Sequence, residues 1–139
     1  MSFEQYKINS DVDTDWFIKI IKNFIYENTK IFVNEIKLDV QILKYTINSQ
    51  FPKHRDSDNT IPTNPNQQRL FTIGILLNED FEGGDLIVYD NKKNYLKKTT
   101  GNSYIFESSL EHEVTKITSG IRYVLVAHLR SKEVQKKLI

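Results

Sequence analysis

From about residue 36 onward the apolar residues of this chain come in short packets, such as LFTIGILL at 70–77, LIVY at 86–89 and IRYVLVAHL at 121–129, each closed off by polar or glycine-bearing segments. Runs of that length, rich in β-branched and aromatic side chains, read as strands. Further strands are expected at 36–47, 51–57, 103–107 and 112–117. Many short strands can bury their apolar faces only by packing sheet on sheet or closing a barrel. One stretch has a different period. Side chains at 11–15 can cap a helix, and Trp16, Phe17, Ile20, Ile21, Phe24 and Ile25 then recur at helical spacing, so a helix is expected over about 14–28. The pattern predicts a mainly β chain, an all-β barrel or jelly roll at about 36–130 buttressed by one N-terminal α-helix.

Between the strands, 58–68 (DNTIPTNPNQQ) is a polar loop without periodicity, and 91–98 is a basic, polar connection. The EGGD at 82–85 marks a tight turn in which Gly83 and Gly84 supply positive φ. The 139 residues are expected to form one domain, with no internal repeat or low-complexity tract. With 19 basic and 18 acidic residues the net charge is +1, which gives no whole-chain field for nucleic acid or an anionic membrane. Lys92, Lys93, Lys97 and Lys98 are read as a solvated basic face. No cysteine is present, which excludes disulfides, zinc-thiolate sites, iron-sulfur clusters and thiol nucleophiles. Any metal chemistry must use His, Asp and Glu. The opening MSFEQYKIN lacks a signal-peptide pattern and no apolar run reaches membrane-spanning length, so a cytoplasmic protein is expected. Nothing in the sequence fixes an oligomeric state.

The candidate site is His54-Arg55-Asp56, followed by His112 and Arg122. In an extended segment His54 and Asp56 point the same way, because side chains two apart share a strand face. With His112 they make two imidazoles and a carboxylate, a ligand set that holds non-haem Fe(II) and leaves coordination positions open. Arg122 supplies a planar, permanently charged fork suited to a carboxylate. Thr72, Gly74 and Leu76 share one face of their strand, and the first two are small enough to leave room beside such a ligand. His128 would share the face of Arg122 and is taken, with Arg69, as a candidate substrate contact.

The strings LKYTINSQFPKHRD, RLFTIGILLNEDFEGGDL, GNSYIF and HEVTKITSGIRYVLVAHL together resemble the 2-oxoglutarate/Fe(II) dioxygenase superfamily, and within it the prolyl 4-hydroxylase-like branch. The resemblance covers about residues 36–130. It implies a double-stranded β-helix, with His54, Asp56 and His112 as iron ligands, Arg122 as the partner of the distal carboxylate of 2-oxoglutarate, and Tyr45 as a second contact to that cosubstrate. Leu76 stands where several relatives carry a tyrosine. The implied cofactors are Fe(II), 2-oxoglutarate and O2, with ascorbate as a candidate reductant. The implied reaction is hydroxylation of a C–H bond, foremost of a peptidyl proline, with release of succinate and CO2. A free amino acid or other small molecule as substrate, and a non-catalytic binding module of the same fold, are the alternatives.

Overall fold

The computed structural model of the chain describes residues 3–7, 15–30, 37–57 and 69–130. In chain order the elements are β1 (Phe3–Lys7), α1 (Asp15–Thr29), β2 (Lys37–Tyr45), β3 (Phe51–His54), β4 (Arg69–Leu76), β5 (Phe81–Gly83), β6 (Leu86–Asp90), β7 (Lys92–Tyr95), β8 (Ser103–Glu107), β9 (Glu111–Val114), β10 (Ile117–Gly120) and β11 (Arg122–Arg130). A five-stranded major sheet runs β1-β2-β11-β4-β8, a four-stranded minor sheet runs β3-β9-β6-β7, and β10 pairs with β5. Among the described residues every pairing is antiparallel. This is the jelly-roll form of the double-stranded β-helix, with one helix beside it.

Alternation along the strands creates two cores. Leu43, Leu76, Val124 and Val126 of the major sheet meet Leu86, Val88 and Val114 of the minor sheet in the inner core. The intervening residues Phe71, Ile73, Ala127 and Leu129 point out of the barrel and are covered by Ile25 and Phe24 of α1. The helix therefore buttresses the outer face of the major sheet, as its amphipathic stripe predicts. Ile20 departs from that stripe and is 55% exposed. At 3.6 residues per turn it lies about 140° around the helix from Ile25. The side chains of Trp16, Phe17 and Ile21, and the 58–68 loop, lie outside the described residues.

Four local expectations are corrected. The segment expected as one strand at 112–117 is two, because Thr115 turns away to bond Asp85 and the chain then changes partner from β6 to β5. The 91–98 connection contains β7, which folds back on β6 through Asn91 at φ 61. The strand expected over 51–57 stops at His54. Strand β1 was not expected, since FEQYK carries little apolar signal of its own and is ordered by pairing along the edge of β2. The EGGD turn behaves as expected, with Gly83 and Gly84 at φ 72 and 63.

Candidate metal centre and the cavity behind it

His54 and His112 are cross-strand partners on β3 and β9. Each ring closes onto the carbonyl two residues before it: His54 Nδ1 lies 2.7 Å from Pro52 O, and His112 Nδ1 lies 3.0 Å from Leu110 O. A carbonyl only accepts, so Nδ1 carries a proton in both rings and each Nε2 faces the interior as the atom through which the ring can coordinate an ion. Phe51 stacks on His54 at 3.6 Å, and Phe106 packs against His112 at 4.8 Å.

Asp56 reaches the same point without being on a strand. The backbone amides of Asp56 and Ser57 both donate to the Ser108 carbonyl, at 2.9 and 3.0 Å, and this pinned bend aims the carboxylate inward. Its Oδ1 lies 3.2 Å from His54 Nε2 and 3.3 Å from His112 Nε2. Its other oxygen, Oδ2, accepts a 2.6 Å hydrogen bond from Thr72 Oγ1, which in turn lies 3.0 Å from Ser108 Oγ. Burial pushes the Asp56 carboxyl up, but the contacts with His112, His54 and Thr72 outweigh it and hold the group well below the usual carboxylate range. It is an anion at any physiological pH.

The three groups suit a divalent first-row metal. In an octahedron with bonds of about 2.1 Å, neighbouring donors lie roughly 3 Å apart, close to the two separations at Asp56 Oδ1. His54 Nε2 is buried and has no hydrogen-bond partner, which leaves its lone pair available to an ion. The three residues form a cluster whose donor atoms all lie within 4.8 Å of one another.

Behind them lies a cavity walled by apolar side chains such as Leu86, Val124 and Val126 and reaching Tyr45, Tyr104 and Arg122. Arg122 and Tyr45 are cross-strand partners on β11 and β2. The guanidinium sits 4.9 Å over the Tyr45 ring, a cation–π contact. Gly84 lets the arginine through, since a Cβ there would press within 3.1 Å of its Cδ. Arg122 is 3% exposed, and its Nε and Nη1 are buried with no hydrogen-bond partner. A buried cation with idle donors fits a carboxylate.

His54, Asp56, His112, Arg122 and Tyr45 thus line one cavity, and so does His128. His128 shares the inner face of β11, yet it lies against the metal centre, with Nδ1 3.7 Å from Asp56 Oδ2 and 3.5 Å from Thr72 Oγ1. Arg69 begins β4, half-buried, and is not part of the lining. The room expected beside Thr72 and Gly74 is used otherwise. Thr72 holds Asp56, and the Tyr104 ring occupies the space over Gly74. Thr72 was expected only to leave room, and Ser108 and Tyr104 were assigned no role from the sequence. The inward parity of Thr72 and the glycine opposite Tyr104 were the signals present. Among the lysines, Lys98 is paired with Asp85 at 2.8 Å, while Lys92 and Lys93 are exposed.

Fold and site define a double-stranded β-helix protein with a His/Asp/His cluster at one end of its barrel. The chain belongs to the 2OG-Fe(II) oxygenase superfamily, whose family model matches residues 40–130. A PKHD-type hydroxylase of Prochlorococcus marinus (strain AS9601) is 34% identical over 86 residues, covering 60% of this chain and 39% of that protein. The chain thus spans about two-fifths of the length of that relative. Among solved structures, the viral collagen prolyl hydroxylase of Paramecium bursaria Chlorella virus-1 in its 2OG complex superposes with a TM-score of 0.74 at 21% identity, covering 93% of this chain and 79% of that one. A Pseudomonas putida prolyl-4-hydroxylase gives 0.74 at 16%, covering 94% and 73%. These likenesses establish the shared fold. Among the described residues no helix is long and apolar enough to cross a membrane.

Proposed function

We propose that the chain is an Fe(II)- and 2-oxoglutarate-dependent hydroxylase acting on a proline within a peptide or protein. One observation carries the reading: His54 Nε2, Asp56 Oδ1 and His112 Nε2 converge at one end of an apolar cavity whose other end holds a buried guanidinium with idle donors. In this reading the three residues hold Fe(II), Arg122 takes the far carboxylate of 2-oxoglutarate, and Tyr45 supports that arginine and contacts the same cosubstrate. When bound, iron, keto acid and O2 supply the oxidising chemistry that turns a C–H into a C–OH, with the keto acid leaving as succinate and CO2. Ascorbate belongs to the same reading, as the reductant that returns oxidised iron to Fe(II).

The chain's own residues prepare that chemistry. The Pro52 and Leu110 carbonyls keep both imidazoles in the tautomer that can coordinate, and Thr72 holds one oxygen of Asp56 so that the other faces the ion. Leu86, Val124 and Val126 exclude water along the cavity, which strengthens the charge pairing at Arg122. The metal end is the accessible one, since the His54 side chain retains 22% exposure on the edge strand β3 against 7% for His112. An extended chain can approach there, and the names of the relatives, PKHD-type and prolyl hydroxylases, make proline the leading target.

The test begins without oxygen. Fe(II) and 2-oxoglutarate added together should give the weak visible charge-transfer band of a chelated keto acid, and admitting O2 should yield succinate. Asp56→Ala and His112→Ala should remove both signals while the fold survives. Full activity in either variant would refute the ligand assignment. Mass spectrometry for a gain of one oxygen on proline-containing peptides, run beside free amino acids, then decides the substrate class.

A further inference from the structure

Tyr104 lines the cavity at its cationic end, where Arg122 also lies, and has no part in the proposed iron and cosubstrate contacts. It stands on the inner face of β8, directly across from Gly74 of β4. A Cβ on Gly74 would fall inside the Tyr104 phenol, so the ring lies flat across the β4 backbone and only glycine gives it a seat. That posture carries the hydroxyl inward, to where Arg122 hydrogen-bonds and attracts it. Burial raises the phenols of both Tyr45 and Tyr104, outweighing Arg122, so both remain neutral hydrogen-bond donors. The β4 position that shares this face, Leu76, carries no hydroxyl. Tyr104 also stacks on Phe106 at 6.0 Å, and Phe106 packs on His112, so one aromatic row runs from the metal end to the cationic end.

A second, smaller cleft lies beyond this point. It shares Leu86, Tyr104 and Arg122 with the first and continues to Lys97, Lys98 and Asn102. The Tyr104 phenol and the Arg122 guanidinium are therefore a partition between two spaces. A carboxylate paired with Arg122 keeps lone pairs that must be satisfied in this apolar setting, and a neutral phenol at the partition satisfies one.

Resting on the proposed oxygenase reading, we propose that Tyr104, seated on Gly74, donates a hydrogen bond to the distal carboxylate of the 2-oxo diacid and is the end wall that sets the length of diacid accepted. A five-carbon diacid ends at the wall. With the ring removed, the two cavities join, and a six-carbon diacid gains space whose far side carries Lys97 and Lys98.

The experiment uses the full chain and the variants Tyr104→Phe and Tyr104→Ala, with Mn(II) alone as one probe and anaerobic Fe(II) with 2-oxoglutarate or 2-oxoadipate as the others. Tyr104→Phe keeps the ring over Gly74 and removes only the hydroxyl. It should bind Mn(II) as wild type and 2-oxoglutarate about 10- to 100-fold more weakly, the range spanned by a hydrogen bond to a charged group. Tyr104→Ala should shift the affinity ratio of 2-oxoglutarate to 2-oxoadipate toward the longer acid by at least about tenfold, one pocket-filling contact in scale. Wild-type 2-oxoglutarate affinity in Tyr104→Phe overturns the donor role, and an unchanged ratio in Tyr104→Ala overturns the end-wall role. A wild-type protein that binds Mn(II) but neither diacid overturns the oxygenase reading and this proposal with it.

Discussion

Replacing Thr72 with valine removes a single oxygen at the metal centre while nearly preserving shape. The lost contact is the 2.6 Å bond from Thr72 Oγ1 to Asp56 Oδ2, made where Thr72 is 3% exposed. A hydrogen bond to a charged group is worth about 1.5–3 kcal/mol, and a valine at this buried position offers no substitute donor. The metal-free protein should therefore lose roughly 2 kcal/mol of unfolding free energy, on the order of 5–10 °C in Tm for a domain of this size. Metal affinity should fall separately. With Oδ2 released, Asp56 can rotate away from the two imidazoles, and loss of such an orienting partner costs about 10- to 100-fold in affinity. Thermal unfolding of the metal-free protein gives the first quantity, and calorimetric titration with Mn(II) gives the second. Thr72→Ser, which restores the hydroxyl, should recover most of the affinity. Should Thr72→Val melt with wild type and bind Mn(II) equally well, the claim that this hydroxyl positions the carboxylate is wrong.

Two further substitutions probe the scaffold. Leu129→Ala empties a fully buried position beneath α1 and should cost about 2–5 kcal/mol in chemical denaturation, while the folded fraction keeps its Mn(II) affinity because Leu129 is on the face of β11 opposite His128. Gly84→Ala places a side chain at φ 63 and against Ile117 and the Arg122 stem, so it should lose about 1–2 kcal/mol from the left-handed backbone alone and weaken 2-oxoglutarate binding more than metal binding. Equal loss of both affinities would show that Gly84 does not act through Arg122.

What could be read from the sequence depended on whether a residue's partner is announced locally. The strands at Leu86 and Ser103 and the helix carry their own periodicity, and all three lie within two residues of the expected positions. Strand β1 carries almost none, because its order comes from the edge of β2. The site divides in the same way. His54, Asp56, His112 and Arg122 are chemically conspicuous, and the spacing of the first two suggested a shared strand face. They do converge, but through a bend tied to Ser108, which no local pattern announces because its partner is 52 residues further along the chain. Tyr104 was hidden for the same reason: its meaning lies in the glycine it crosses, on a strand whose register no sequence pattern supplies.

That dependence on register makes the outer core part of the functional machinery. Strand β11 holds Arg122 at one end of its inner face and His128 at the other, about 20 Å apart at strand rise. The proposed metal ligands come from β3, the bend after it and β9, across the barrel. A one-residue slip of β11 would turn Arg122 outward and replace it with Ile121 or Tyr123. The inner face alone resists that weakly, since Val124 and Val126 would exchange with apolar neighbours such as Leu125 and Ala127. Resistance comes from the other side, where Ala127 and Leu129 are wholly buried with Phe71, Ile73 and Ile25, and where a slip would put His128 and Arg130 under the helix. Burying either without a partner costs several kcal/mol. The N-terminal helix therefore secures the position of a cation on the opposite face of the sheet, and the distance between that cation and the His54, Asp56 and His112 cluster is the dimension on which the proposed cosubstrate would have to fit.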